Sequence, residues 1–285
     1  MKIPTFLFTV LIQCSLTAAL FAQGTAPRVR EKAAVPAEKN KFHLYLLIGQ
    51  SNMAGRGVVE PVDTIGHPRV LRLNKEGEWE IAKDPVHFDK PVAGVGPGLT
   101  FGKTMADRDT SIVVGLIPCA VGGSGIDVWV PGAYYQPTKT YPYDDALRRA
   151  EVAAKAGTLK GILWDQGESD SNPQKSAVYG GKLLQLITRL RQQLGVADLP
   201  FVAALLPAYQ ASYTDASGKK IGNPSVETVN KAIRSLQCPA YTFISSKGVT
   251  DIGDHTHLTA ASQRIMGQRF ARAMVRLQQA EKKKH

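Results

Sequence analysis

From residue 42 onward the chain alternates short apolar runs with longer amphipathic stretches, and few folds accommodate that rhythm. The runs 43–48, 112–117, 161–164, 201–206 and 241–244 have the length of buried strands, and the stretches 99–107, 144–156, 176–194, 226–236 and 260–279 carry apolar residues at helical spacing. Strands separated by helices imply right-handed βαβ units and a parallel sheet covered on both faces. The expected fold is therefore α/β: a three-layer sandwich around a central, mostly parallel five-stranded sheet. Two long connections interrupt the alternation. The segment 55–97 is rich in Gly, Pro and Asp, with short candidate strands at 70–73 and 78–81, and reads as an excursion on the sheet edge. The segment 207–225 leaves the C-terminal end of a strand, where ligands bind in open α/β sheets, so it is expected to shape a cleft.

Outside this body the ends read differently. Lys2 precedes an apolar run over 3–21 that closes on small residues around Ala18, Ala19 and Ala22, the pattern of a secretory signal ending near residue 22; an uncleaved anchor is the rival reading. Gln13 before Cys14 argues against lipid attachment there. Residues 23–41 are polar and rich in Ala and Pro, a flexible leader, and 281–285 form a basic tail, leaving one domain over 42–280. A length of 285 residues with 44% hydrophobic content is enough to bury a core without disulfide or metal staples. Of the net charge of +11, Lys2 supplies one, the tail two and the leader three, so the body carries only +5. No basic patch interleaved with aromatics accompanies it, which points away from a nucleic-acid partner. Cys119 follows one strand and Cys238 precedes another, at opposite edges of a parallel sheet; two free thiols are expected, although an oxidising compartment would permit a pair.

Four short motifs fall where strands end. Gly49-Gln50-Ser51-Asn52-Met53-Ala54-Gly55 follows the first strand, a place that exposes a serine Oγ beside converging backbone N–H groups. A lone serine there reads first as an ordinary helix cap, and Met53 excludes the G-x-S-x-G elbow. Pro118 to Ser124 follows the second core strand with a Gly-Gly turn able to bring a backbone N–H close to an oxyanion. Trp164 to Asp170 follows the third, and its Gln166 amide is a candidate donor to the same oxyanion or a loop staple. Near the C-terminus, Asp254 and His257 are three apart, so one turn sets a carboxylate against Nδ1 and leaves Nε2 as a base; Asp251 and His255 are supports. The same Asp and His residues would be an unusual metal cluster, since zinc sites draw on a helical His pair or added Cys. No metal and no cofactor is expected.

Taken in order, GQSNMAG, PCAVGGS, WDQGESD and DHTHL resemble the SGNH-type hydrolases, specifically carbohydrate esterase family six and the sialate O-acetylesterase-like proteins, over about residues 41–278. The resemblance implies a flavodoxin-like serine esterase that removes acetyl groups from sugars through an acetyl-enzyme. It makes Ser51 the nucleophile, His257 the base and Asp254 its orienter, with Ser51 N–H, Gly123 and Gln166 as the oxyanion hole. The family more often has an aromatic residue or His where Asp165 stands. Gln50, Asn52, Trp129 and Glu168 are the candidates for substrate contact; Glu168 reads more naturally as a loop-fixing carboxylate. Trp129, Tyr134 and Tyr135 follow the Gly-Gly turn as sugar platforms or as packing residues. Acetylated xylan or a related hemicellulose is the expected partner, with a sialate O-acetylesterase as the alternative enzyme and a catalytically silent carbohydrate-binding protein as the alternative class. A secreted or periplasmic protein without stable membrane insertion follows from the signal reading.

Overall fold

The computed structural model describes residues 31–282; the expected signal segment, the start of the leader and the last three residues lie outside them. In chain order the elements are β1 (Phe42–Gly49), α1 (Ser51–Ala54), β2 (Val70–Leu73), β3 (Trp79–Ile81), α2 (Pro97–Arg108), β4 (Val113–Pro118), α3 (Pro142–Ala154) and β5 (Thr158–Asp165). They continue with α4 (Pro173–Ser176), α5 (Tyr179–Leu194), β6 (Phe201–Ala204), α6 (Ala208–Ala211), β7 (Ser212–Thr214), β8 (Lys220–Gly222), α7 (Pro224–Ser235), β9 (Tyr241–Ile244) and α8 (Ala260–Lys282).

β1 is apolar on both faces because it lies inside the sheet, paired in parallel with β4 on one side and β5 on the other. Its Phe42, Leu44, Leu46 and Ile48 enter a core shared with α3, α5 and α7, while Tyr45 and Leu47 enter a second core shared with α2 and α8. These two cores are the outer interfaces of a three-layer sandwich. The sheet has seven strands in the order β3-β2-β4-β1-β5-β6-β9, two more than the five expected. The additions are the short candidates of the 55–97 excursion: β2 pairs in parallel with β4, and β3 closes that edge antiparallel to β2. Runs of four and three residues are too short to stand as core strands in a sequence, and they form here because β4 supplies a ladder to extend. The second long connection, 207–225, folds into the separate β7–β8 hairpin.

The leader is also more ordered than its composition suggests. Ala33 N–H donates to Trp79 O and Ile81 N–H to Glu31 O, so residues 31–33 lie along the free edge of β3, whose unpaired backbone groups supply the partners. The last helix runs two residues into the expected tail. Cys119 and Cys238 are both free thiols.

Strands after β1 are added first on the β4 side and then, beginning with β5, on the other, which makes β1 a topological switch point with a crevice at its C-terminal end. The chain leaves β1 through Gly49 at a φ of +131°, where a Cβ would come 2.1 Å from Asp165 O. Only glycine fits that exit. Gly49→Ala is expected to cost about 2–4 kcal/mol in a denaturant melt through strain and clash; an unchanged midpoint would show that the exit relaxes freely.

Candidate active site

Ser51 opens α1 immediately beyond β1, and the segment before α8 returns to meet it. His257 Nε2 lies 3.0 Å from Ser51 Oγ, and Nδ1 lies 2.6 Å from Asp254 Oδ2. A carboxylate only accepts, so Nδ1–H donates to Asp254 and Nε2 is left to accept from the serine hydroxyl. The one-turn spacing read in the sequence is realised: Asp254 Oδ1 accepts from the backbone N–H of Thr256 and of His257, at 2.9 and 2.8 Å. Partial burial pushes the Asp254 carboxyl up, but the His257 and Thr256 hydrogen bonds together outweigh it and hold the group below the ordinary carboxylate range. Asp251 instead accepts from the backbone of Gly253 and His255, which makes it a support of the loop. Among the described residues no group of three or more His, Cys, Asp or Glu is arranged to hold a metal ion.

As the first residue of a helix, Ser51 has an N–H without an intrahelical acceptor. Gly123 sits across the crevice in the turn after β4, at a φ of +84°. Its N–H has no partner among the described residues, while its carbonyl accepts from Ser169 Oγ at 2.9 Å. Two backbone donors are therefore available near Ser51.

Gln166 does not join them as the sequence reading expected. It is fully buried, and its Nε2 donates to Asp170 Oδ2 (2.6 Å), Gln50 Oε1 (3.1 Å) and Ser124 O (3.2 Å), while its Oε1 accepts from Tyr179 OH (3.0 Å). With two protons shared among three acceptors, nothing is left for an oxyanion. This is the staple reading, now with its partners named.

The substrate-contact candidates separate in the same way. Trp129 is wholly buried, packs edge-on against Trp164 and donates from Nε1 to Ser124 Oγ, so it belongs to the core and offers no face to a sugar. Asn52 is 1% exposed and fully committed. Its Nδ2 donates to Thr256 O (3.0 Å) and Glu168 Oε1 (2.5 Å), and its Oδ1 accepts from Leu258 N–H (3.1 Å). Glu168 is correspondingly a loop-fixing carboxylate: one oxygen holds Asn52 and the other is buried without a partner. Gln50 keeps a donor, its Nε2, without a partner among the described residues.

Other contacts complete the surroundings, some of them roles that the sequence did not announce. Asn52 grips the residues on both sides of His257, a role that its place in a motif does not announce. The Tyr135 hydroxyl stands 2.9 Å from where a Gly123 Cβ would be, and Tyr213 of the β7–β8 hairpin stacks on His255 at 4.0 Å. Beneath the loop, Asp165 is 3% exposed with Oδ2 unpartnered. Burial, and then the charge of Glu168, push its carboxyl well above the usual range; burial raises Glu168 too, against its own backbone N–H, Asn52 and His257.

A helix-flanked, mostly parallel sheet with a serine at the end of its central strand is the α/β architecture expected from the sequence. Residues 41–276 match the family model "Carbohydrate esterase, sialic acid-specific acetylesterase", and the chain belongs to that family of carbohydrate esterases. A probable carbohydrate esterase of Arabidopsis thaliana is 31% identical over 251 residues, covering 81% of this chain and 89% of the relative. The crystal structure of that plant protein superposes with a TM-score of 0.70 at 29% identity, over 83% of this chain and 98% of the other. NanS shares the fold at a TM-score of 0.63 and 16% identity, over 86% and 100% of the two chains. A carbohydrate acetylesterase of Xanthomonas citri does so at 0.62 and 20%, over 84% and 57%.

Two outcomes follow from this geometry. Because the folded state raises the Asp165 carboxyl, its stabilising share is full below the ordinary aspartate range and is lost as pH rises through the raised value. Asp165→Asn should therefore melt like the parent near pH 4 and at least ~2 °C higher near pH 8; an increment independent of pH would contradict the buried acid. Asn52→Leu should lower kcat by about 10- to 100-fold by loosening His257, visible as a drop in turnover beyond any loss of folded protein at the assay temperature.

Proposed function

We propose that this carbohydrate esterase is a secreted serine acetylesterase acting on O-acetylated, uncharged polysaccharide such as acetylated xylan or a related hemicellulose. The observation that carries the mechanism is the Ser51–His257–Asp254 relay at 3.0 and 2.6 Å. Ser51 Oγ attacks the acetyl carbonyl while its proton passes to His257 Nε2. The oxyanion of the tetrahedral intermediate sits against the N–H groups of Ser51 and Gly123. On collapse the ester C–O bond breaks, and His257 returns the proton to the departing sugar oxygen. Water then attacks the acetyl-Ser51 ester by the same route, releasing acetate and the free serine.

Charge supports the neutral substrate over a sialate. Asp254 bonds His257 and Glu168 holds Asn52 beside the serine, while Asp170 is tied to Gln166. The guanidinium that abuts the Gly122–Gly123 turn, that of Arg56, is buried and paired with Asp89 at 2.8 Å. That guanidinium is already committed to Asp89 and is not free to hold a sialate carboxylate. Export rests on the 1–22 segment and the acetylated polymer on the motif resemblance.

Acetate release should be measured from acetylated xylan, acetylated mannan and O-acetyl sialic acid beside Ser51→Ala. Release from xylan or mannan that disappears in the variant is expected; preference for the sialate would transfer the reading to a sialate O-acetylesterase, and equal rates in both proteins would end the esterase mechanism. Asp254→Asn should lower kcat by about 10³- to 10⁴-fold and Asp251→Ala far less, since only Asp254 touches the imidazole; the reverse ranking would refute the assignment.

A further inference from the structure

The relay leaves two backbone donors for the oxyanion, and the residue expected to add a third is engaged elsewhere. We propose that the third donor is the side-chain amide of Gln50, and that Gln166 is the positioning residue that aims it. The inference rests on the serine acetylesterase reading above and names a catalytic group within it.

The orientation of the Gln50 amide is determined by its neighbours. Its oxygen accepts from the backbone N–H of Ser169 at 3.3 Å, a group that can only donate, and from Gln166 Nε2 at 3.1 Å. The oxygen therefore faces the loop after β5, and Nε2 faces away from it. Gln166 cannot turn over in its turn. Its Nε2 is held by Asp170 Oδ2 and Ser124 O, both acceptors, and its Oε1 lies by the Tyr179 hydroxyl, which accepts from Trp164 Nε1 at 3.1 Å and shares its one proton between Gln166 Oε1 and Gln166 O, each at 3.0 Å. A buried chain of hydrogen bonds thus runs from Trp164 through Tyr179 and Gln166 to Gln50, with every amide direction set along it.

At the end of this chain is a donor without an acceptor. Gln50 is 3% exposed, and its Nε2 has no partner among the described residues. The atom is not itself wholly buried, so a donor unpaired within the protein, held in a fixed direction and still accessible is available to a transient acceptor. The place is also right. Gln50 immediately precedes Ser51, and the residues around its amide are the walls of the hole. Gln166 also bonds Ser124 O, and Ser169, whose N–H holds Gln50, donates from Oγ to Gly123 O. The transient acceptor that fits is the acetyl carbonyl oxygen as it gains charge.

The test uses the full chain, with p-nitrophenyl acetate as the probe, and follows kcat, KM and thermal midpoint for Ser51→Ala, Gln50→Glu, Gln50→Met, Gln166→Met and the Gln50→Glu/Gln166→Met double variant. Glu at 50 keeps an oxygen for Ser169 and Gln166 and replaces the donor with a second carboxylate oxygen. Met removes the amide without adding charge, which covers the case of a Glu variant that fails to fold. At position 50 kcat is expected to fall by ~10²-fold with KM nearly unchanged. Gln166→Met should lower kcat and the midpoint in the parent background, yet lower only the midpoint once Gln50 is Glu, because its effect on chemistry passes through that amide. A folded Gln50→Met with kcat within about 3-fold of the parent would overturn the proposal, as would a full Gln166→Met loss on top of Gln50→Glu. Persistent activity in Ser51→Ala would instead remove the esterase reading itself, so the two failures are distinguishable.

Discussion

The site depends on one side chain that catalyses nothing. Asn52 donates to Thr256 O and accepts from Leu258 N–H, so it grips the chain on both sides of His257, about two hundred residues away in sequence. Gln263 of α8 adds a bond to the Asn52 carbonyl. Without this clasp the serine at the end of β1 and the imidazole before α8 would be tied only indirectly, through Gln263, through Gln210 on Thr256 O and through the packing of α8 on the sheet. Catalysis by proximity is sensitive to errors of an ångström, and a buried amide with every donor and acceptor engaged is a stiff way to remove them.

How much of this was legible follows from what kind of information each residue carries. The relay was legible because nucleophile, base and orienter are rare residue types placed at strand ends, and Asp254 and His257 declare their geometry by spacing alone. The alternation of elements gave the layers, and the two strands it left on the margin are four and three residues long, formed by extending a ladder that no local pattern records. Side-chain direction was not legible. Trp129 follows a Gly-Gly turn as a sugar platform would, yet folds inward against Trp164; in a string Asn52 looks like a substrate contact and Gln166 like an oxyanion donor, and both are ties between loops. Whether an amide faces the cleft or the core depends on partners such as Tyr179 and Asp170, which only the assembled structure brings together.

Beneath the relay the molecule tolerates an expensive arrangement. Asp165 and Glu168 each bury a carboxyl oxygen without a partner. Burial penalises the ionised form of both, and each makes ionisation of the other harder. The acid pair therefore keeps the net negative charge under His257 smaller than a count of carboxylates suggests. That moderates the electrostatic field at the imidazole while leaving Glu168 able to hold Asn52.

The strap formed by residues 31–33 has a consequence for the molecule's behaviour in a crowd. Sheet edges are templates on which foreign strands can grow, and β3 would otherwise present one next to the half-buried Trp79. With Ala33 and Glu31 occupying its backbone groups, that side of the sheet is sealed by the protein's own chain, and recruitment of another molecule is left to the four-residue β9 at the opposite margin. A segment that reads as mere tether before the domain thus doubles as its guard against polymerisation.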